Sequence, residues 1–281
     1  MAGKSRIFIT GDLGFIASHL KKRLIEDGYE VKGWDIKRSF SEDIRLLKAK
    51  DLEGFDCVFH MAAQAKVPLS IEKPLFTHSH NVDGTLSVLE SAKGAGVKKV
   101  IYSASSSAYG DQTELPLKET MNPKPMSPYG VQKLIGEHYC RVYSSCYGLP
   151  TVSLRYFNVY GEDMPADNAY SAAIAIFKKQ KEEGEPLTVF GGEQTRDFTY
   201  VGDVVLANIL AMKSNIGMGE VINIGSGRDY TIEAIARAVS DEIEFLPQRK
   251  GEPMNTRADI SKAKKLLGFQ PTKDVIEWLR S

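Results

Sequence analysis

Along the first 160 residues, short apolar runs rich in β-branched side chains alternate with stretches of helical spacing. "RIFIT" (6–10), "EVKGW" (30–34), "CVFHMA" (57–62), "KVIYSAS" (99–105) and "TVSLRYF" (151–157) read as buried strands. Residues 16–26, 81–95 and 129–147 between them carry apolar positions three and four apart, the pattern of helices with one face inward. Strand–helix alternation predicts a parallel sheet with right-handed crossovers covering both faces, a doubly wound α/β fold of Rossmann type. Beyond residue 160 the alternation loosens into a helix near 171–183, a strand "LTVF" and turns rich in Gly and Asp. A smaller C-terminal α/β region is therefore expected. The expected division is 1–160 and 161–281, with part of 195–225 returning to the first unit and "GEDMPADNA" as a mobile connecting loop.

Composition narrows the classes. A chain of 281 residues can bury one large core or two modest ones without disulfide staples. Lys plus Arg and Asp plus Glu balance at 36 each, so no net field recruits nucleic acid or an anionic membrane. Cys57, Cys140 and Cys146 are odd in number and lack CxxC spacing, which points to a reducing compartment and away from a zinc site. No apolar run is long enough to span a bilayer, and "AGKSRIF" lacks the apolar core of a signal peptide. A cytoplasmic protein acting on a small molecule is the expectation.

The turn "GDLGFIA" places Gly11, Gly14 and Ala17 where a dinucleotide fold uses a tight turn, close backbone approach to a pyrophosphate, and helix-on-strand packing. Such a triplet alone is equally a structural turn. Asp35 closes the next strand, as a carboxylate holding the adenosine ribose would, and its charge favours NAD over NADP. Lys37 and Arg38 follow directly and offer the opposite reading, a site for the 2′-phosphate. Asp12 is expected at a helix start, facing water.

"SPYGVQK" sets Tyr129 and Lys133 four apart on one helical face. A phenol is a poor base at neutral pH unless a neighbouring cation favours its ionised form. The bland alternative is a surface pair. The preceding strand, however, ends in "YSASSSAYG", a polar cluster at the strand edge where open α/β sheets bind ligands, though a serine-rich turn reads the same way. His78 and His80 point to different helical faces with no third ligand, so no metal site is expected, and His60 reads as packing.

Together "TGDLGFIASHL", "HMAAQA", "NVDGTLSVLESA", "SASSSAYG", "SPYGVQK", "LRYFNVYG", "GGEQTRDFTYVGDV", "NIGSG" and "ADISKA" resemble, in order, the extended short-chain dehydrogenase/reductase family. Within it the likeness is to nucleotide-sugar epimerases of the UDP-glucose/UDP-N-acetylglucosamine 4-epimerase kind. The resemblance implies that Tyr129 is the base, that Lys133 holds the nicotinamide ribose and lowers the tyrosine pKa, and that Ser105 bonds the sugar hydroxyl. It implies retained NAD against Gly11, Gly14, Phe15, Ile16 and Asp35, with Asp43 and Ile44 toward the adenine and Ala62, Ala63 and Tyr156 alongside. For a UDP-sugar substrate it implies Ser105, Ser106, Asn158, Arg196, Arg249 and Glu252. In this register Thr256, seven after Arg249, limits the substituent at sugar C2, and a small residue leaves room for an N-acetyl group. The implied reaction removes the C4 hydride, rotates the 4-keto sugar and returns hydride to its other face.

Dehydratases of the family carry an Asp-Glu pair directly after the serine position, and its sugar decarboxylases carry a glutamate two places on. Here Ser106 and Ser107 stand instead, which leaves epimerisation as the best fit. The alternatives are a dehydratase or oxidoreductase on the same scaffold, or a non-catalytic NAD- or nucleotide-sensing protein. The family often pairs helices like those at 81–95 and 129–147 across a homodimer, which is expected here too. The stretch from Asp35 to His60 is shorter than usual, so its intervening strand is expected to be truncated and the placing of Asp43 and Ile44 is open.

Overall fold

In the computed structural model, which describes residues 5–166, 173–247 and 253–281, the five runs form β1 (Arg6–Thr10), β2 (Glu30–Trp34), β3 (Cys57–His60), β4 (Lys99–Ser105) and β5 (Thr151–Tyr156). A sixth strand, β6 (Met218–Ile224), pairs with β5, so the sheet runs β6-β5-β4-β3-β1-β2 with every neighbour parallel. Strand order reverses between β1 and β3, which opens a crevice at their C-terminal ends, the place where such sheets bind ligands.

The helices are α1 (Phe15–Glu26), α2 (Val67–Glu72), α3 (Pro74–His78), α4 (Gly84–Gly94), α5 (Pro128–Tyr147), α6 (Ala173–Glu183), α7 (Val201–Lys213), α8 (Ile232–Val239), α9 (Ser261–Leu267) and α10 (Val275–Arg280). Leu20 and Leu24 of α1, Val204 and Ala207 of α7 and Ala263 and Leu267 of α9 pack one face of the sheet. Val88 and Leu89 of α4 and Cys140 and Tyr143 of α5 pack the other. A third core joins α6, α8 and α10 around Phe177, Ile235 and Val275. It includes two parallel strands, Leu187–Phe190 and Ile243–Leu246. Among the described residues no helix is long and apolar enough to cross a membrane.

Four expectations are corrected. The "EVKGW" strand is not buried, because β2 is the sheet's edge and alternates exposed and half-buried positions, with Lys32 lying over the rings of Phe8 and Trp34. The parallel sheet has six strands, the sixth drawn from the segment expected to return. The expected helix at 81–95 opens with a π-helical turn, Ser79–Asp83, before α4 begins at Gly84. Between β2 and β3 lie three 3-10 turns, Phe40–Glu42, Ile44–Leu46 and Ala49–Leu52, and no strand. The side chains of Ser39, Asp43 and Asp51 take up nearby backbone N–H groups there, which competes with a sheet ladder. Residues 167–169 of the expected connecting loop and 171–172 of the expected helix lie outside the described residues.

Candidate active site

The turn after β1 is built for close approach. Gly11 has φ +70°, and a Cβ there would sit 2.7 Å from the Ala62 Cα, so the turn lies directly on the segment leaving β3. Thr10 Oγ1 accepts from the N–H groups of Met61 and Ala62 at 3.1 and 3.2 Å and locks the two strand ends together. Gly14 caps α1 without any side-chain hydrogen bond, so no side chain of the cap competes for the first-turn N–H groups, those of Phe15 and Ile16 included. Ala17 is buried against the sheet. Asp35 accepts from Leu13 N at 3.0 Å and Lys37 N at 2.8 Å, which fixes its carboxylate beside the turn. These features fit a dinucleotide: a side-chain-free helix start, a crevice at the strand reversal, and a carboxylate one strand over.

Asp12 does not face water. Its side chain is wholly buried, with Oδ2 2.7 Å from Lys21 Nζ, and with Arg38 Nη2 2.9 and 3.1 Å from its two oxygens. It also precedes α1 by three residues. The reason is the room left by Gly33, where a Cβ would lie 1.9 Å from Asp12 Oδ2. Asp43 is likewise engaged: its oxygens take the Nε of Arg45 at 3.0 Å each, and hydrogen bonding to that guanidinium holds its pKa below the usual carboxylate value. The Ile44 side chain is buried in the core.

The strand end of β4 and the start of α5 bring Ser105, Tyr129 and Lys133 together. Ser127 caps α5 by accepting from Gly130 N at 3.1 Å, and Pro128 occupies the first turn. Gly130 allows contact with the carbonyl of Ser107, 2.7 Å from where its Cβ would stand, which brings Tyr129 onto the 105–107 turn. Ser105 Oγ accepts from Ser107 Oγ at 2.8 Å and Ser107 N at 3.2 Å. Burial pushes the Tyr129 phenol up to about 12, opposed in part by the nearby Ser105 hydroxyl. Lys133 is buried, donates to Ser103 O at 2.7 Å and lies 6.0 Å from the Tyr129 ring centre. Burial lowers its ammonium to about 8, opposed by Glu137 one turn on. Tyr156 is the register partner of Ser105, and its hydroxyl meets Ser103 Oγ at 3.2 Å and Asn208 Oδ1 at 2.9 Å. Ala63, in the segment after β3, and Ser106, directly after Ser105, are half-buried.

A buried polar chain that the sequence did not announce joins the two halves of the crevice. His60 Nδ1 meets Thr10 Oγ1 and its Nε2 meets Thr85 Oγ1, each at 2.9 Å, and burial lowers its pKa to about 3. Asn81, on the π-helical turn, bonds both the N–H and the C=O of Gln64, at 2.7 and 3.0 Å, and the side chain of Gln132 at 2.8 Å. Gln132 precedes Lys133, so the lysine's helix is tied to the loop after β3. The fragment "NVDGT" held this information only as a motif, since Asn81 and Gln132 are 51 residues apart. His78 is exposed and His80 bonds the carbonyl of Phe76.

On the substrate side, Asp197 is a four-way acceptor. It takes Ser226 N and Oγ at 2.7 Å, Gly227 N at 2.9 Å and Ala258 N at 3.0 Å, and burial lifts it to about 6. Its carbonyl receives Asn158 Nδ2 at 2.8 Å. Arg196 donates to the carbonyls of Thr195 and Met254, and Thr256 is its parallel partner across the short strands Thr195–Arg196 and Asn255–Thr256. Asn158, Arg196 and Thr256 thus converge on one small sheet. Arg249 and Glu252 lie outside the described residues.

Residues 7–225 match the family model described as "NAD dependent epimerase/dehydratase family". The chain is 36% identical over 296 residues to the UDP-glucose 4-epimerase of Mycolicibacterium smegmatis, covering 95% of this chain and 93% of that one. It is 33% identical over 320 residues to the UDP-N-acetyl-alpha-D-glucosaminuronate decarboxylase of Bacillus cytotoxicus, with 99% and 98% covered. The solved UDP-N-acetylglucosamine 4-epimerase from Methanobrevibacter ruminantium, in complex with UDP-N-acetylmuramic acid, superposes with a TM-score of 0.91 at 36% identity, over 99% of this chain and 96% of that one. The UDP-glucuronic acid 4-epimerase from Bacillus cereus, bound to UDP-glucuronic acid and NAD, gives a TM-score of 0.87 at 36% identity, over 98% and 96%.

Proposed function

We propose, for a chain that belongs to the NAD dependent epimerase/dehydratase family, that it inverts C4 of a UDP-linked hexose through a transient 4-keto sugar, taking the glucose/galactose pair and its N-acetylated counterpart. The observation that carries this reading is the Ser107–Ser105 hydrogen bond at the end of β4, next to Tyr129 and buried Lys133, with no carboxylate at 106 or 107. The family is NAD-dependent, and bound NAD supplies the acceptor and donor of the C4 hydride.

The chain's own residues do the rest. Gly11, Gly14 and the N–H groups of Phe15 and Ile16 receive the diphosphate, Asp35 the adenosine ribose, and Asp43 and Ile44 the adenine edge, with Ala62, Ala63 and Tyr156 alongside. Ser107 fills an acceptor position of Ser105, which directs the Ser105 proton toward Tyr129 Oη. Tyr129 removes and later returns the proton of the sugar 4-hydroxyl, and the positive charge of Lys133 favours its phenolate. Ser106, Asn158, Arg196, Arg249 and Glu252 hold the UDP moiety in this reading, and small, buried Thr256 leaves space at sugar C2. Residues 1–160 then form the NAD half, joined by part of 195–225, and 161–281 the sugar half. Exposed Val131, Val142 and Tyr147 on α5 support a homodimer across that helix, to be checked by sedimentation.

The likeness to a decarboxylase keeps a second reaction in view. NMR of the purified protein with UDP-, dTDP- and GDP-sugars separates the two. Epimerisation gives isomers of equal mass, decarboxylation of a uronate releases CO2, and no interconversion in any pair would sink the epimerase reading.

A further inference from the structure

We propose that Asp12 is a specificity-determining residue for the dinucleotide, acting as the internal counter-ion that withholds Arg38 from the 2′-position of the adenosine ribose. The inference rests on the placing of that ribose at Asp35. Arg38 stands on the same tight turn, its N–H bonded to the Asp35 carbonyl at 2.9 Å, so its side chain starts one turn from the ribose edge. A guanidinium there is the natural partner of the extra phosphate of NADP. In this chain both ends of the fork are taken. Nη2 lies on the Asp12 carboxylate at 2.9 and 3.1 Å, and Nη1 on Glu42 Oε2 at 2.5 Å. Glu42 Oε2 also accepts the N–H of Asp35 at 2.8 Å, which ties the clamp to the ribose carboxylate itself.

Two independent features show that the clamp is built in. Asp12 is only 1% exposed although it sits in a surface turn, and the one position that would displace its carboxylate is occupied by Gly33. For NADP to recruit Arg38, the buried Asp12 carboxylate would keep Lys21 alone as partner, and removing one member of a buried charge cluster is costly. Without Arg38, the 2′-phosphate faces Asp35 and Glu42 with exposed Lys37 as the one cation of the turn to offset them. NAD carries no such group and meets neither penalty.

The test reads occupancy rather than turnover. Protein incubated with equimolar NAD and NADP is desalted and denatured, and the released dinucleotides are quantified. Wild-type protein is expected to hold NAD almost exclusively, and Asp12→Asn to shift the bound ratio toward NADP by about tenfold, the scale of one charge-assisted hydrogen bond. Asp12→Asn/Arg38→Gln should return to the wild-type ratio. Gly33→Ala, whose methyl pushes the carboxylate aside, should move in the same direction as Asp12→Asn and serves if that variant does not fold. An unmoved ratio in both, or a shift that survives removal of Arg38, overturns the proposal. An Asp35→Asn ratio equal to wild type would remove the ribose from Asp35, and the proposal falls with that placement.

Discussion

The Nζ of Lys133 donates to the carbonyl of Ser103 at 2.7 Å, so the ammonium 6.0 Å from the Tyr129 ring centre is anchored to the strand that also presents Ser105. Phenol, ammonium and serine therefore share one frame, β4 against α5. Burial pushes the tyrosine up to about 12 and the lysine down to about 8, so phenolate together with ammonium is the minority combination at neutral pH.

The first prediction concerns that pair. Tyr129→Phe should lower kcat by about 10²–10⁴-fold while NAD still co-purifies. In the wild type kcat should rise with pH to about 8 and then level off, because further gain of phenolate is offset by loss of the Lys133 proton. In Lys133→Met the levelling should vanish and the rise should continue to higher pH, as full pH profiles with UDP-sugar would record.

Ser107 tests the relay. Ser107→Ala removes the donor that orients Ser105, and a loss of about threefold to tenfold in kcat with little change in KM is expected, scaled to one neutral hydrogen bond. A KM effect alone would mean that Ser107 touches substrate only.

His60 makes acid sensitivity measurable. Its pKa is lowered in the folded state, to about 3 from 6.5, so the unfolded chain binds the additional proton in that window and stability falls as pH drops through it. Between pH 6.5 and about pH 5, urea titrations should show wild type losing about 2 kcal/mol more than His60→Gln, at ~1.4 kcal/mol per pH unit. Equal slopes would show that His60 is not kept neutral.

Asp197→Ala strips three N–H groups and one hydroxyl of their acceptor, at a cost of roughly 3 kcal/mol or more. Because Ala258 follows the strand Asn255–Thr256 that pairs with Thr195–Arg196, UDP affinity measured by calorimetry should fall along with the denaturation midpoint.

What the sequence disclosed follows from range. β1, β3, β4 and β5 are short runs rich in apolar and β-branched residues, and the Tyr129–Lys133 pair is four apart on one helix, so local pattern was enough for both. Asp12 was misplaced because its partner Arg38 is 26 residues away, and an ion pair of that separation leaves no periodic trace. β6 escaped because Gly219 and Glu220 break its run, where the register with β5 also shifts. The edge exposure of β2 depends on strand order, which no single strand encodes.

The sheet that carries Gly11 and Tyr129 borrows its last strand from residues 218–224 and part of its cover from α9. A ribosome that has made only the first 160 residues has therefore made a five-stranded sheet with a raw edge on β5 and an uncovered apolar face. That intermediate must wait for roughly a hundred further residues, and in the interval it is a substrate for chaperones and a hazard for edge-to-edge association.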